Sequence, residues 1–108
     1  MDGTKIHVVN FWLAPGTREN WSFAVREGGI WGLKEKLRNR WEKIQPGDYC
    51  FFYVTQPVSR VVGFGVITEK FADRRPLWPD EVAGGPVYIY RFRFRIERVL
   101  PEDQWKAQ

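Results

Sequence analysis

The residues of this chain with most chemistry to offer are its aromatic rings. Trp12, Trp21, Trp31, Trp41, Trp78 and Trp105 stand with four tyrosines and eight phenylalanines, 17% of 108 residues. An average domain carries roughly half that share, so some of the rings are expected to be exposed for use. An exposed ring can stack on a nucleobase and return roughly 1 to 3 kcal/mol per base. Between Glu19 and Leu33, Asn20, Trp21 and Trp31 gather around turn residues. A second set is cationic. Arg91, Arg93 and Arg95 alternate with apolar residues, and Arg74 and Arg75 precede them. They either follow a phosphate backbone with salt-dependent affinity or form a solvated charged face. Lys34, Lys36, Arg38 and Arg40 read as the wet side of a helix. The net charge of +4 and pI near 9.5 favour a polyanionic partner, although charge alone is a weak signal.

Other chemistries find little material. A metal site needs two to four ligands at workable spacing, and the chain has one histidine, His7, and one cysteine, Cys50. His7 alternates with Val9 and Phe11 and reads as a partly buried strand residue. Cys50 lies in the apolar run Tyr49 to Phe52 and reads as a small packed hydrophobe, which fits a reducing, cytoplasmic setting. No nucleophile has a neighbouring base, and Gly63 and Gly65 sit within a strand pattern instead of a phosphate-cradling turn. Neither an enzyme nor a cofactor is therefore expected. No run approaches the length of a membrane span, and the start at Met1 lacks the order of a signal peptide and reads as a natural beginning.

The elements that must hold the rings can be placed from their patterns. Lys5 to Leu13 reads as a strand ended by a loop at Ala14, Pro15 and Gly16. Asn20 is placed to cap a helix from Trp21 to about Glu27, with Gly28 and Gly29 ending it and delivering Trp31. Leu33, Leu37, Trp41 and Ile44 form a helical stripe, a second helix or pair of turns. Gln45 to Asp48 makes a tight turn into a strand through Tyr53. Arg60 to Thr68 alternates Val62, Phe64 and Val66 against Val61, Gly63, Gly65 and Ile67. The last strand alternates Tyr88, Tyr90, Phe92, Phe94 and Ile96 against Ile89, Arg91, Arg93, Arg95 and Glu97. Strands outnumber helices, so the expected fold is α+β: an open mixed β-barrel of about five strands with short helices. Residues 1–108 make one domain, with 101–108, polar apart from Trp105, a short helix packing back or the start of a linker.

Several short motifs now fall in order: Asn20 and Trp21; Gly29, Ile30, Trp31 and Gly32; Gln45 to Tyr49 with Phe52 and Tyr53; Val62 to Val66; Asp73 with Pro76 to Pro79; and Tyr90 with Arg91. Together they span nearly the whole chain, and the sequence resembles the EVE domain, a relative of the YTH and PUA-like domains. The resemblance implies a pseudo-barrel whose pocket takes one flipped modified base, N6-methyladenine in YTH domains and 5-methylcytosine-type or other bases among EVE relatives. It implies Trp31 and Trp78 as cage rings and Asn20 as the group that hydrogen-bonds the base. It also implies a nucleic-acid partner and, in some systems, a fused or associated nuclease of modification-dependent restriction. The Asn20-to-Trp31 spacing is one residue longer than in YTH domains, and Gly32 replaces the hydroxyl residue usual after that Trp.

The physics of such a pocket is independent of its name. Extruding a base costs a few kcal/mol, two Trp faces supply a substitute stack, and a buried methyl adds about 0.8 kcal/mol. Each residue also has a plainer reading. Asn20 is a helix cap, a ligand contact or both. Trp31 is a cage wall or a core plug, and Trp78 a cage wall or a loop anchor. Trp12, Trp21 and Trp41 read as mainly structural, with Trp21 also placed for the pocket rim. Tyr53 and Asp73 are secondary pocket candidates, Asp73 alternatively fixing its loop by pairing with an arginine. The expected activity is binding alone. The alternative is a small-molecule or peptide interaction module using the same pocket.

Overall fold

The computed structural model describes residues 8–107. His7 and the start of the expected first strand lie outside them. Five strands form one mixed sheet in the order β1-β3-β4-β5-β2, curled into a half-barrel. They are β1 (Phe11–Gly16), β2 (Ile30–Leu33), β3 (Tyr49–Val54), β4 (Arg60–Ala72) and β5 (Tyr90–Val99). β1 runs parallel to β3, and the other three pairings are antiparallel. Three short helices, α1 (Arg18–Arg26), α2 (Arg38–Lys43) and α3 (Pro79–Val82), and 3-10 turns at Glu35–Leu37 and Glu102–Gln104 complete the element order. Among the described residues no helix is long and apolar enough to cross a membrane. The fold is the α+β open mixed barrel of the PUA-like type.

β1 runs on through Ala14, Pro15 and Gly16, where a loop was expected. The carbonyls of Asn10 and Gly16 accept from Tyr49 and Thr55, so the even-numbered backbone groups face β3. Odd-numbered ones, Pro15 included, turn to the free edge, where a missing N–H leaves no ladder bond unmade. α1 begins earlier than expected because Thr17, not Asn20, is its N-cap. The Thr17 hydroxyl accepts from the Asn20 backbone N–H at 3.2 Å, and Asn20 falls inside the first turn. The helix stops at Gly28 and Gly29, as expected. Gly29 has φ +109°, and a Cβ there would lie 2.2 Å from the Phe94 carbonyl oxygen, so no other residue fits.

β2 is the strand that pattern reading missed; its four residues are too few to show a period. The helical stripe that follows is divided. Leu33 belongs to β2, Trp41 of α2 and Ile44 just after it pack on the core, and Leu37 of the 3-10 turn is half-buried outside that core. β4 carries a bulge opposite the Phe52–Tyr53 step, which lets Val62 join Ile67 in the core while Val61 is left exposed. The core is ring-rich: Trp21, Trp31, Phe52, Trp78, Phe92, Phe94 and Trp105, with the buried Cys50 among them. Burial pushes the Cys50 thiol pKa well up, so it packs as a hydrophobe. Trp105 donates to the Leu100 carbonyl, and Arg18 reaches the carbonyls of Trp105 and Glu102, tying the tail back onto α1.

Candidate functional site

The sheet does not close, and β1 and β2 are its two edges. Between them lies a cavity of about 280 Å³, walled by Trp12 to Gly16 from β1, by Trp31, Gly32 and Leu33 from β2, and by Leu37, Ile44, Tyr88 and Phe92. Lys34, Lys36 and Arg40 stand at its rim.

Trp31 is the expected residue that lines this cavity. It is 6% exposed and stacks on Trp21 with centroids 3.9 Å apart and planes 6° from parallel. Trp21 is fully buried, its indole N–H donating to the Ala14 carbonyl. It therefore backs the site from behind and is not part of the rim. Trp78 is 1% exposed and meets Trp31 edge-on at 6.1 Å, with Tyr88 and Phe23 against its other sides. It supports Trp31 without opening onto the cavity. Gly32 has no room for the side chain YTH domains carry, since a Cβ would come within 2.9 Å of the Trp78 ring and 2.7 Å of the Tyr88 Cβ. Its backbone matters more. The Gly29 carbonyl accepts from Phe94, so by alternation Gly32 turns its N–H and C=O to the open edge.

Asn20 lies beneath this cluster, 4% exposed, and its Oδ1 has no partner among the described residues; neither has the Trp78 indole N–H. Buried polar atoms are seldom left so, and both belong to residues packed around the cavity wall. Tyr88, which lines the cavity, donates its hydroxyl to Asp80. Burial, then the Asp80 carboxylate, hold its pKa well above the usual range, so it remains a donor, and a hydrogen bond from Asn20 acts on it in the opposite sense.

Three expected site residues fall elsewhere. Tyr53 is on the outer face of β3, because the inward positions are Cys50, Phe52 and Val54. Asp73 is a loop clamp, accepting from the Arg75 backbone N–H at 2.9 Å and its guanidinium at 3.2 Å. Arg91 is no phosphate contact: it is fully buried beneath Trp78, 5.1 Å from that ring, with Glu81 at 3.5 Å, Asp73 at 3.7 Å and the Tyr88 carbonyl at 2.8 Å. Of the other four arginines, Arg75, Arg93 and Arg95 are exposed but paired with Asp73, Glu69 and Glu97, and Arg74 is exposed without an ion pair among the described residues.

Sequence reading missed two things. Glu81 is buried and binds the backbone N–H groups of Leu77, Trp78 and Tyr88, fixing the loop that carries Trp78. The available signal was Pro79 and Glu81 at the first and third positions of a helix. The rim cations, read as a wet helix face, are the other. Lys34, Lys36, Arg40 and the adjacent Lys43 make no ion pair among the described residues, whereas Arg26, Arg38, Arg75, Arg91, Arg93 and Arg95 all do.

A family model described as the EVE domain matches residues 10–103. The chain belongs to the EVE domain family. No curated protein matches it. Among solved structures, this EVE domain is similar to the YTH domain-containing protein mmi1, solved as an RNA complex, at 14% identity and TM-score 0.56, over 84% of this chain and 57% of that one. It is also similar to Rpa0253 from Rhodopseudomonas palustris, at 18% identity and TM-score 0.53, over 85% and 63%. A third likeness is the Toxoplasma CPSF4 YTH domain, solved with a 7-mer m6A-modified RNA, at 15% identity and TM-score 0.54, over 84% and 62%. The EVE domain thus spans about three fifths of the length of these structures. At such identities the likeness is one of fold.

Proposed function

We propose that this EVE domain binds a nucleic-acid strand and holds one extruded, modified base in the cavity between β1 and β2. The observation that carries the reading is the coincidence, at one opening, of an aromatic wall, free strand-edge backbone and cations with no acidic partner among the described residues. The mmi1 and Toxoplasma YTH domains of the same fold were solved with RNA, the latter m6A-modified, which supports a strand as the ligand.

The cavity of about 280 Å³ falls at the lower end of small-ligand pockets, the scale of one heterocycle. Trp31 offers a ring stiffened from behind by Trp21, so little freedom is lost when a base meets it. Gly32 supplies one donor and one acceptor for the base edge, and Asn20 Oδ1 a further acceptor once the wall yields. A buried methyl then adds about 0.8 kcal/mol, roughly a four-fold preference, and more if the bare amino group of an unmodified base is left unpaired. Phosphates meet Lys34, Lys36 and Arg40 in place of the β5 arginines. The protein acts by binding alone.

Fluorescence anisotropy with short DNA and RNA strands, unmodified or carrying N6-methyladenine or 5-methylcytosine, tests this. One modified strand is expected to bind several-fold tighter, and Trp31→Ala to erase that preference while leaving salt-sensitive background binding. Equal binding of all strands by the wild type would sink the reading and move a small free ligand to first place.

A further inference from the structure

Beyond the rim lies a second hollow of about 410 Å³, lined by Trp12, Lys36, Leu37, Asn39, Arg40 and Lys43. It shares Trp12, Lys36, Leu37 and Arg40 with the first cavity, so the two are contiguous along one wall. We infer that this hollow is a subsite for the neighbouring nucleotide of the same strand, its base stacked on Trp12 and its phosphate held by Lys36, Arg40 and Lys43. The inference rests on the strand-binding reading above.

Trp12 differs from every other tryptophan here. Trp21 and Trp31 stack on each other, Trp78 meets three rings and Arg91, Trp41 has Tyr90 and Lys70, and Trp105 has Arg18. Trp12 has neither a ring nor a cation against it among the described residues, and it is half-buried. Its orientation is nonetheless fixed. The indole N–H donates to Asp48 Oδ2 at 2.8 Å, and Asp48, 2% exposed, also accepts from the backbone N–H groups of Asn10 and Gln45. A ring locked at its polar edge, packed against the core on one side and lining both hollows with the rest of its surface, can serve as a stacking platform, and such platforms accept any base because every base has a π-face.

The charges agree. Within the hollow the cations outnumber acids three to none. The nearest acid on α2, Glu42, is engaged by Arg38 at 2.9 Å. Three cations without an ion pair among the described residues, beside a half-buried indole, fit a phosphodiester joined to a base better than a neutral ligand, which gives the cations no anion, or a peptide of acidic side chains alone, which leaves the indole unstacked.

The test uses the indole N–H resonances of the full chain, assigned with Trp12→Phe and Trp31→Phe. The wild-type protein is titrated with an unmodified trinucleotide and, separately, with inorganic tripolyphosphate. The Trp12 resonance is expected to move with the trinucleotide and to stay nearly still with tripolyphosphate. Equal movement with both reduces the hollow to an anion site and overturns the inference. Movement of Trp31 without Trp12 also overturns it while leaving the base cavity standing; if neither moves, the subsite falls, and the base cavity is judged by the modified strands in the anisotropy experiment. In affinity, Trp12→Leu is expected to weaken trinucleotide binding roughly ten-fold, with Trp12→Phe recovering most of the loss. Equal affinities for the wild type and both variants would count against the subsite.

Discussion

Trp31 can serve as a ligand wall because its other contacts leave it nowhere else to go. Trp21 covers one face, Trp78 stands against it edge-on, and its far edge reaches Gly16 of β1. That last contact is the sharpest. A Cβ at Gly16 would lie 2.3 Å from the Trp31 Cη2 atom and 2.5 Å from Cζ2, inside any tolerable separation. Gly16→Ala is therefore expected to displace the indole and destabilise the fold by about 1 to 3 kcal/mol, the usual range for overpacking. The modified-base preference should fall with it. Urea unfolding and oligonucleotide anisotropy on the same variant check both parts. An unaltered midpoint with an unaltered preference would show that the ring is free to move and is not the rigid wall described here.

At the scale of elements, the segment from Asp73 to Tyr88 holds Trp78 in place through buried and half-buried carboxylates. Asp73 ties the turn to Arg75 and faces Arg91, and its pKa is held below the ordinary 3.8 by the Arg75 backbone hydrogen bond first and by the charges of Arg75 and Arg91 next. The folded state thus favours the carboxylate. Its contribution is complete above pH 3.8 and is lost as pH falls through the lowered native value. Acid unfolding of the wild type should accordingly show a stability loss below about pH 4 that is smaller in Asp73→Asn, read from thermal midpoints between pH 2 and 6. Parallel curves for the two proteins would remove Asp73 from the clamp. Little of this segment was legible beforehand. Asp73 was readable as an arginine partner, but Arg91 looked like one more outward residue on an alternating strand, and only three-dimensional packing reveals that its position faces Glu81 beneath Trp78. Likewise the apolar run of β3 and the alternation of β5 announced themselves, while β2, four residues between a glycine pair and a 3-10 turn, had no period to read.

For the molecule as a whole, the half-barrel leaves two strand edges unpaired, and the site occupies the gap between them. Chain order hides that gap, since β1 and β2 are neighbours in sequence yet stand at opposite ends of the sheet. The same effect misdirects a reading of charge. The five arginines of the loop and β5 look like a phosphate track in sequence, but folding buries one and pairs three with acids, whereas Lys34, Lys36 and Arg40 line the opening and Lys43 the hollow beside it, with no ion pair among the described residues. Salt dependence separates the two sets. If those four cations neutralise two phosphates of a single strand, one at Lys34 and the next at Lys36, Arg40 and Lys43 together, log K should fall against log salt with a slope of about −1.4, close to a seven-fold loss of affinity between 50 and 200 mM. Replacing Lys36, Arg40 and Lys43 together by Gln should flatten the slope to about −0.7. Arg93→Gln with Arg95→Gln should leave it unchanged, because those guanidinium groups are already spoken for by Glu69 and Glu97. The opposite outcome, a slope that survives loss of the rim cations and collapses with the β5 pair, would place the strand on the outer face of the sheet and detach it from the cavity.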